Sequence, residues 1–327
     1  MEQATSAPPA SNTGALTQIS RSVDWVGFTF PTDIPLQGVK EIMGLEDWQE
    51  MDRGGMGYSA SCRRGHVAIY YEGRANMGIH VEITGQGCRE EEASGRVKDW
   101  RGFFGRLLEF GCKFTRVDIA HDDRSGWLNL DTIGEAVKAR EFTTRFRRGQ
   151  EVHGWAYDEK KDGGRCFYFG SAASLACIRI YDKAREQGLP AAEHWIRVEQ
   201  VFRDERAQRM VQECVANGFD VCAGVLRNYL EFKEAQENVR RDLRKPAAWW
   251  LAFLGGVEKA HLSMAKLART LEQVKEWLER QVTPAVALML EWKRGPEWFV
   301  GQMELAKFRW KKEHLAMLRA ANAAAGP

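Results

Sequence analysis

The chain has 327 residues, 44% of them hydrophobic and 28% charged, with a net charge of +2. That is enough apolar material for one large core or two smaller ones, and no global field marks nucleic acid as a partner. Seven cysteines (Cys62, Cys88, Cys112, Cys166, Cys177, Cys214 and Cys222) are scattered without a C-x-x-C pair, which argues for reduced thiols and against a disulfide framework or a cysteine zinc site.

Residues 1–20 carry no signal-like apolar stretch and read as a disordered tail. VDWVGFTF (23–30) puts Val26, Phe28 and Phe30 on one face at period 2, a strand. HVAIYYEG (66–73) and MGIHVEITG (77–85) follow as a hairpin, and GQG (85–87) reads as a turn with two positions free for positive φ. A helix is expected over about 90–110, closed by Gly111, then a strand, KFTRVDIAHDD (113–123), and a helix near 131–142. Residues 143–164 look like a polar excursion. Strands flank the Gly-Ser turn at 170–174, HWIRVEQVF (194–202) makes another, and a helix near 204–217 leads to YLEF (229–232). Beyond about residue 238 the texture is helical only, with Leu271, Val274 and Leu278 on one apolar stripe. The longest uncharged apolar run, PAAWWLAFLGGV (246–257), is too short to cross a bilayer. The expectation is a cytoplasmic protein without a membrane partner. The fold class expected is α+β, a mainly antiparallel sheet with flanking helices over 21–238, followed by a small all-helical domain over 239–327.

Pleating then assigns faces, because residues i and i+2 of a strand share one. Val117 and Ile119 leave Arg116 and Asp118 opposite; Ile178 and Ile180 leave Arg179 and Tyr181; Ile196 and Val198 leave Arg197 and Glu199. Met77, Ile79, Val81 and Ile83 likewise leave His80 and Glu82. One such strand is ordinary, since half-buried antiparallel strands alternate by default. Four neighbouring ones would gather Asp118, Glu199, Glu82 and His80 around a tyrosine and several arginines. Carboxylate oxygens are the donors hard divalent cations such as Mg²⁺ or Mn²⁺ take, often with phosphate completing the shell. A phenol with a pKa of about 10 needs such help to act as a nucleophile at neutral pH. Asp122 shares the Asp118 face but lies roughly 13 Å along an ideal strand, which makes it a weaker ligand candidate. His121 points the other way and reads as a capping or turn contact.

The order VDWVGFTFP, GIHVEITGQGCR, RVDIAHDD, YFGSAASLACIRIYDKAREQG and WIRVEQVFRDERA, over about residues 21–235, resembles the replication initiation factor family. Its members start rolling-circle replication of plasmids and filamentous phages or act as relaxases of conjugative elements. The resemblance implies a DNA nicking-closing transesterase that forms a 5′-phosphotyrosine at an origin and leaves a 3′-hydroxyl. Tyr181 falls on the nicking tyrosine, with Lys183 and Arg179 beside the scissile phosphate, and Asp118 and Glu199 fall on the acids that hold the divalent metal. Arg116, Arg197, Ser171, Ser174 and Arg185 become candidate DNA contacts, although Ala172 and Ala173 replace the polar residues many members carry between the two serines. No His-hydrophobe-His triplet occurs among the seven histidines, which excludes the histidine-rich version of this chemistry. Origin DNA is the expected partner, single-stranded at the nick and duplex nearby; a host helicase and a second copy of the chain are further candidates. From Arg240 onward 16 Lys and Arg face 9 Asp and Glu, so the C-terminal helices are candidates for duplex contact. The rival readings are a relaxase for mobilisation and a catalytically silent DNA-binding regulator that retains the fold.

Overall fold

A computed structural model describes residues 20–44, 46–154, 164–190, 192–262, 274–275 and 278–324. Two compact units divide the chain, Met1–Met264 and Ala265–Pro327. The strands of the first unit are β1 (Ser20–Phe30), β2 (Gln49–Met51), β3 (Ala60–Arg64), β4 (Val67–Tyr71), β5 (Ile79–Ile83), β6 (Lys113–Asp123), β7 (Phe142–Thr144), β8 (Gly149–His153), β9 (Arg165–Phe169), β10 (Ala176–Asp182), β11 (Ile196–Arg203) and β12 (Leu230–Phe232). Among the described residues ten of them form one sheet in the order β2-β3-β4-β5-β1-β6-β11-β10-β9-β8, antiparallel throughout, and β12 pairs with β7. The α+β architecture expected from the alternating strands is the one found.

Every central strand buries its aliphatic row. Val26, Phe28, Val81, Ile83, Val117, Ile119, Ile178, Ile180 and Val198 belong to one core, each contributing roughly 1.5–3 kcal/mol of burial. The helices α3 (Trp100–Glu109), α6 (Asp204–Asn217) and α7 (Val221–Tyr229) supply Phe104, Met210, Val211 and Leu226 to the same core. A register shift between Val23 and Trp25 lets Val23 and Val26 both reach this core although they are three residues apart.

Several elements differ from expectation for local reasons. The single helix expected over 90–110 is two, α2 (Gly85–Ala93) and α3. Gly95 turns into the left-handed region (φ 74°), and the Asp99 carboxylate caps α3 by accepting from the Gly102 N–H at 2.6 Å. GQG is not a turn but the first turn of α2, with Thr84 as its cap. Gly87 is there for close approach, since a Cβ would stand 2.7 Å from the His66 carbonyl oxygen. Short α1 (Leu36–Met43) and α4 (Leu130–Lys138) complete the N-terminal half, and the polar excursion contains β7 and β8.

The helical texture that begins near residue 238 does not mark the edge of the first unit. In α8 (Ala248–Phe253), Trp249 and Trp250 pack on Phe232 of β12 at ring separations of 4.9 and 5.1 Å. This aromatic contact carries the unit on to Met264. The second unit contains α9 (Thr283–Glu291), α10 (Gly295–Lys307) and α11 (Lys312–Ala324). Of the expected stripe, Leu271 lies outside the described residues. No helix among the described residues is long and apolar enough to cross a membrane.

Candidate active site

The side of the sheet opposite the aliphatic rows gathers the ionisable side chains. In the β10–β11 register Arg179 stands opposite Glu199 and Tyr181 opposite Arg197; in β11–β6, Glu199 faces Ala120 and Val201 faces Asp118. Glu199 and Asp118 are therefore diagonal neighbours on adjacent strands, within reach of one another. Both are buried to 1% exposure. The Tyr181 hydroxyl donates to Glu199 Oε2 at 3.3 Å, and Arg179 Nη2 donates to Glu199 Oε1. Arg116 forks onto Asp118 with bonds of 3.0 and 2.6 Å, and its guanidinium lies 4.2 Å over the Trp25 ring.

This crowding shifts protons. Burial, reinforced by the charge of Glu199 and opposed by Arg116, raises the Asp118 carboxyl to about 7. Burial and the same Glu199 push the Tyr181 phenol well above its ordinary value. The hydroxyl therefore holds its proton firmly, and Glu199 Oε2 is the atom in place to receive it.

Arg197 is committed elsewhere. Its Nε and Nη2 bind Asp122 at 2.7 and 2.8 Å, and its Nη1 binds Asp24 of β1 at 2.8 Å. With 5% exposure, this arginine ties three strands together and presents little surface to a ligand, and Asp122 is engaged by it. Lys183 opens α5 (Lys183–Glu186), where it pairs with Glu186 and stands 5.7 Å from the Tyr181 ring centroid. Arg185 lines, with Arg165, Cys166, Tyr168, Arg179 and Tyr181, a cleft of about 300 Å³ open at the Tyr181 side chain. Ser171 and Ser174 belong to the turn at the other end of β10, with Ser174 N–H bonded to the Ser171 carbonyl at 2.9 Å. Ser174 precedes Tyr181 by seven residues, roughly 23 Å of strand, so the serines are not brought to the tyrosine.

His80 is 6% exposed, shares a 2.9 Å hydrogen bond with Thr29, and is pushed down to about 4 by burial. Glu82 stands across Gly27 from Arg116, and burial raises its carboxyl while Arg116 draws it down. His121 lies on the core side, bonded to Gln200 at 2.7 Å. Among the described residues no three His, Cys, Asp or Glu side chains converge as one metal-holding group. What converges is the Asp118–Glu199 pair, an all-oxygen donor set. Burial, reinforced by its acidic neighbour, raises the Asp118 carboxyl, and a hard divalent cation would favour its charged form. Asp24, Trp25 and Tyr168 also border this site. Asp24 had a signal, an acid inside the otherwise apolar VDWVGF strand.

The sequence profile described as "Replication initiation factor" matches residues 112–319, 208 of the 327 positions. The chain belongs to the replication initiation factor family. A second profile, "Rolling Circle replication initiation protein N-terminal domain", matches residues 20–106. NicK of Bacillus subtilis (strain 168), described as a DNA relaxase, is 28% identical over 283 residues, 82% of this chain and 80% of its own. The structure of a rolling-circle replication initiator protein from Geobacillus stearothermophilus superposes with a TM-score of 0.66 at 30% identity, covering 75% of this chain and all of that one. Asp118, Tyr181 and Glu199 all lie within the longer matched range.

Proposed function

We propose that this protein, a rolling-circle initiator or relaxase-type nickase by family, cuts one DNA strand by transesterification with Tyr181 as nucleophile. The single observation that carries the proposal is the Tyr181–Glu199–Arg179 arrangement, in which one buried carboxylate accepts from both the phenol and a guanidinium. Glu199 Oε2 takes the phenol proton as the phenolate oxygen attacks phosphorus. The P–O3′ bond breaks, the 3′-oxygen leaves and is protonated by water to a 3′-hydroxyl, and the 5′-phosphate stays on Tyr181. The ester is exchanged rather than hydrolysed, so the reverse step rejoins the strand. Arg179 and Lys183 place positive charge beside the ring for the transferring phosphoryl group.

Asp118 and Glu199 are the residues that would hold a Mg²⁺ or Mn²⁺ ion, with Glu82 a further acid on the same face. Such an ion, when bound, offsets charge on the phosphoryl oxygens and favours the phenolate. DNA is the partner, single-stranded at the nick.

The test uses single-stranded oligonucleotides tiled across the DNA around the protein's own gene, incubated with Mn²⁺. The expected result is a covalent adduct mapped to the Tyr181 peptide, abolished by Tyr181→Phe and by EDTA. An adduct that persists in the Tyr181→Phe protein overturns the assignment; binding without cleavage under every condition favours a silent regulator. A mobilisation role is the second reading, favoured by the likeness to NicK over 82% of this chain. Plasmid replication from the cut site, against strand transfer between cells, separates the two.

A further inference from the structure

Cations near Tyr181 are paired with acids. Arg179 holds Glu199, Arg197 holds Asp122 and Asp24, and Arg165, on the cleft wall, holds Glu151 and Asp131. The Lys183 ammonium holds Glu186, one turn further along α5. A phosphate that enters the cleft must therefore share a cation with an acid or displace that acid. The pairs differ in which acid can be displaced. Glu199 and Asp122 are buried, and Asp24, Glu151 and Asp131 do not line the cleft. Glu186 does line it, and its side chain is 49% exposed against 13% for Lys183.

That asymmetry has a physical consequence. An ammonium drawn most of the way out of water needs a partner charge, so Lys183 keeps Glu186 until another anion arrives. A carboxylate half in water loses little when it lets go, because water solvates it at once. Glu186 Oε2 has one further contact, a long one of 3.5 Å from Gln187 Nε2. The other acid on the wall, Asp182, is occupied as the cap of α5, accepting from the Arg185 N–H at 2.9 Å. Glu186 also bears on the phenol: with Glu199 and Asp24 its charge helps hold the proton on Tyr181.

From this arrangement we propose that Glu186 is a resident competitor of the DNA phosphate, holding the Lys183 ammonium in the free protein and giving it up to a phosphate oxygen when the strand enters. On release the exchange runs backwards, so the acid shortens the time a rejoined strand stays bound. Glu186 acts through Lys183 and is a positioning residue. The inference rests on the nicking reading and adds to that site a group that trades affinity for release.

The experiment follows the fluorescence anisotropy of a labelled oligonucleotide of about 16 nucleotides, the scale of single-strand sites, in EDTA so that binding is read without cutting. The oligonucleotide carries the cut site or, where none is cut, is the one bound most tightly. Glu186→Gln should bind it about threefold tighter than the unaltered protein, the size of one exposed ion pair, and through slower dissociation. Its salt slope should be steeper by about 0.7, one more single-strand phosphate contact. Both changes should vanish when the same substitution is made in a Lys183→Met protein, which keeps the apolar stem. An affinity unchanged by Glu186→Gln overturns the proposal, and so does the absence of binding by both proteins. An equal gain with and without Lys183 also overturns it, since Glu186 would then act as general charge repulsion. Adduct formation by the unaltered protein with Mn²⁺ is scored separately. Its absence on every oligonucleotide sinks the nicking reading, while the affinity comparison still decides the role of Glu186.

Discussion

Strands β6 and β11 show two ways of burying polar groups, one on each face. On the covered face His121 and Gln200 are 0% and 1% exposed; on the open face Asp118 and Glu199 are each 1% exposed. Under the helices the groups bond to one another as neutral partners, with only His121 Nδ1 left without a hydrogen bond among these groups. In the amide orientation that completes its bonds, the Gln200 nitrogen donates to His121 Nε2 at 2.7 Å and the Cys222 carbonyl at 3.1 Å, and its oxygen accepts from the Leu226 N–H at 3.1 Å. Burial, with the charge of Arg21, pushes His121 down to about 3, so it carries no charge at neutral pH. On the open face two acids are set against two arginines and a phenol. Equal burial thus marks architecture on one side and stored electrostatic strain on the other.

That contrast can be broken in three places. The largest effect is expected for Glu199→Gln, which keeps the shape and a hydrogen bond but removes the proton acceptor. Adduct formation should slow by about 100-fold or more with thermal stability little changed; a rate within a few-fold of the unaltered protein would show that the open-face charge is not used. Gln200→Ala on the covered face should do the reverse. Stranding His121 and its other partners should cost about 2 kcal/mol in denaturant unfolding while leaving adduct formation per folded molecule intact. The smallest effect concerns pH. The Asp118 carboxyl titrates at about 7 in the folded protein against 3.8 ordinarily, so folding disfavours its charged form. Stability is lost as pH climbs from about 4 to 7 and is level above that. Asp118→Asn lacks this loss, so its melting temperature relative to the unaltered protein should gain about 3–5 °C between pH 6 and pH 8. No gain would mean that burial and Glu199 do not together raise the Asp118 carboxyl.

The alternation of RVDIAHDD, CIRIYDK and WIRVEQV displayed both faces in the sequence, because a period of 2 survives in any regular strand. Proximity of Asp118 to Glu199 was not legible in the same way, since it depends on β6 and β11 pairing across 70 or more residues. Asp24 and Trp25 escaped because the register shift in β1 breaks the alternation at those residues. The β2–β3 hairpin was missed for lack of pattern: QEM and ASCRR are short and carry no apolar row. The serines of the Gly-Ser turn could have been set aside by counting along β10.

The Arg197 brace to Asp122 and Asp24 has a consequence for how this protein would answer ionic strength. Mobile counter-ions weaken contacts they can surround and barely touch a clamp sealed between strands. Added salt should therefore strip DNA from the sheet while the platform beneath the phenol stays rigid, confining the damage to occupancy and sparing turnover once substrate is saturating.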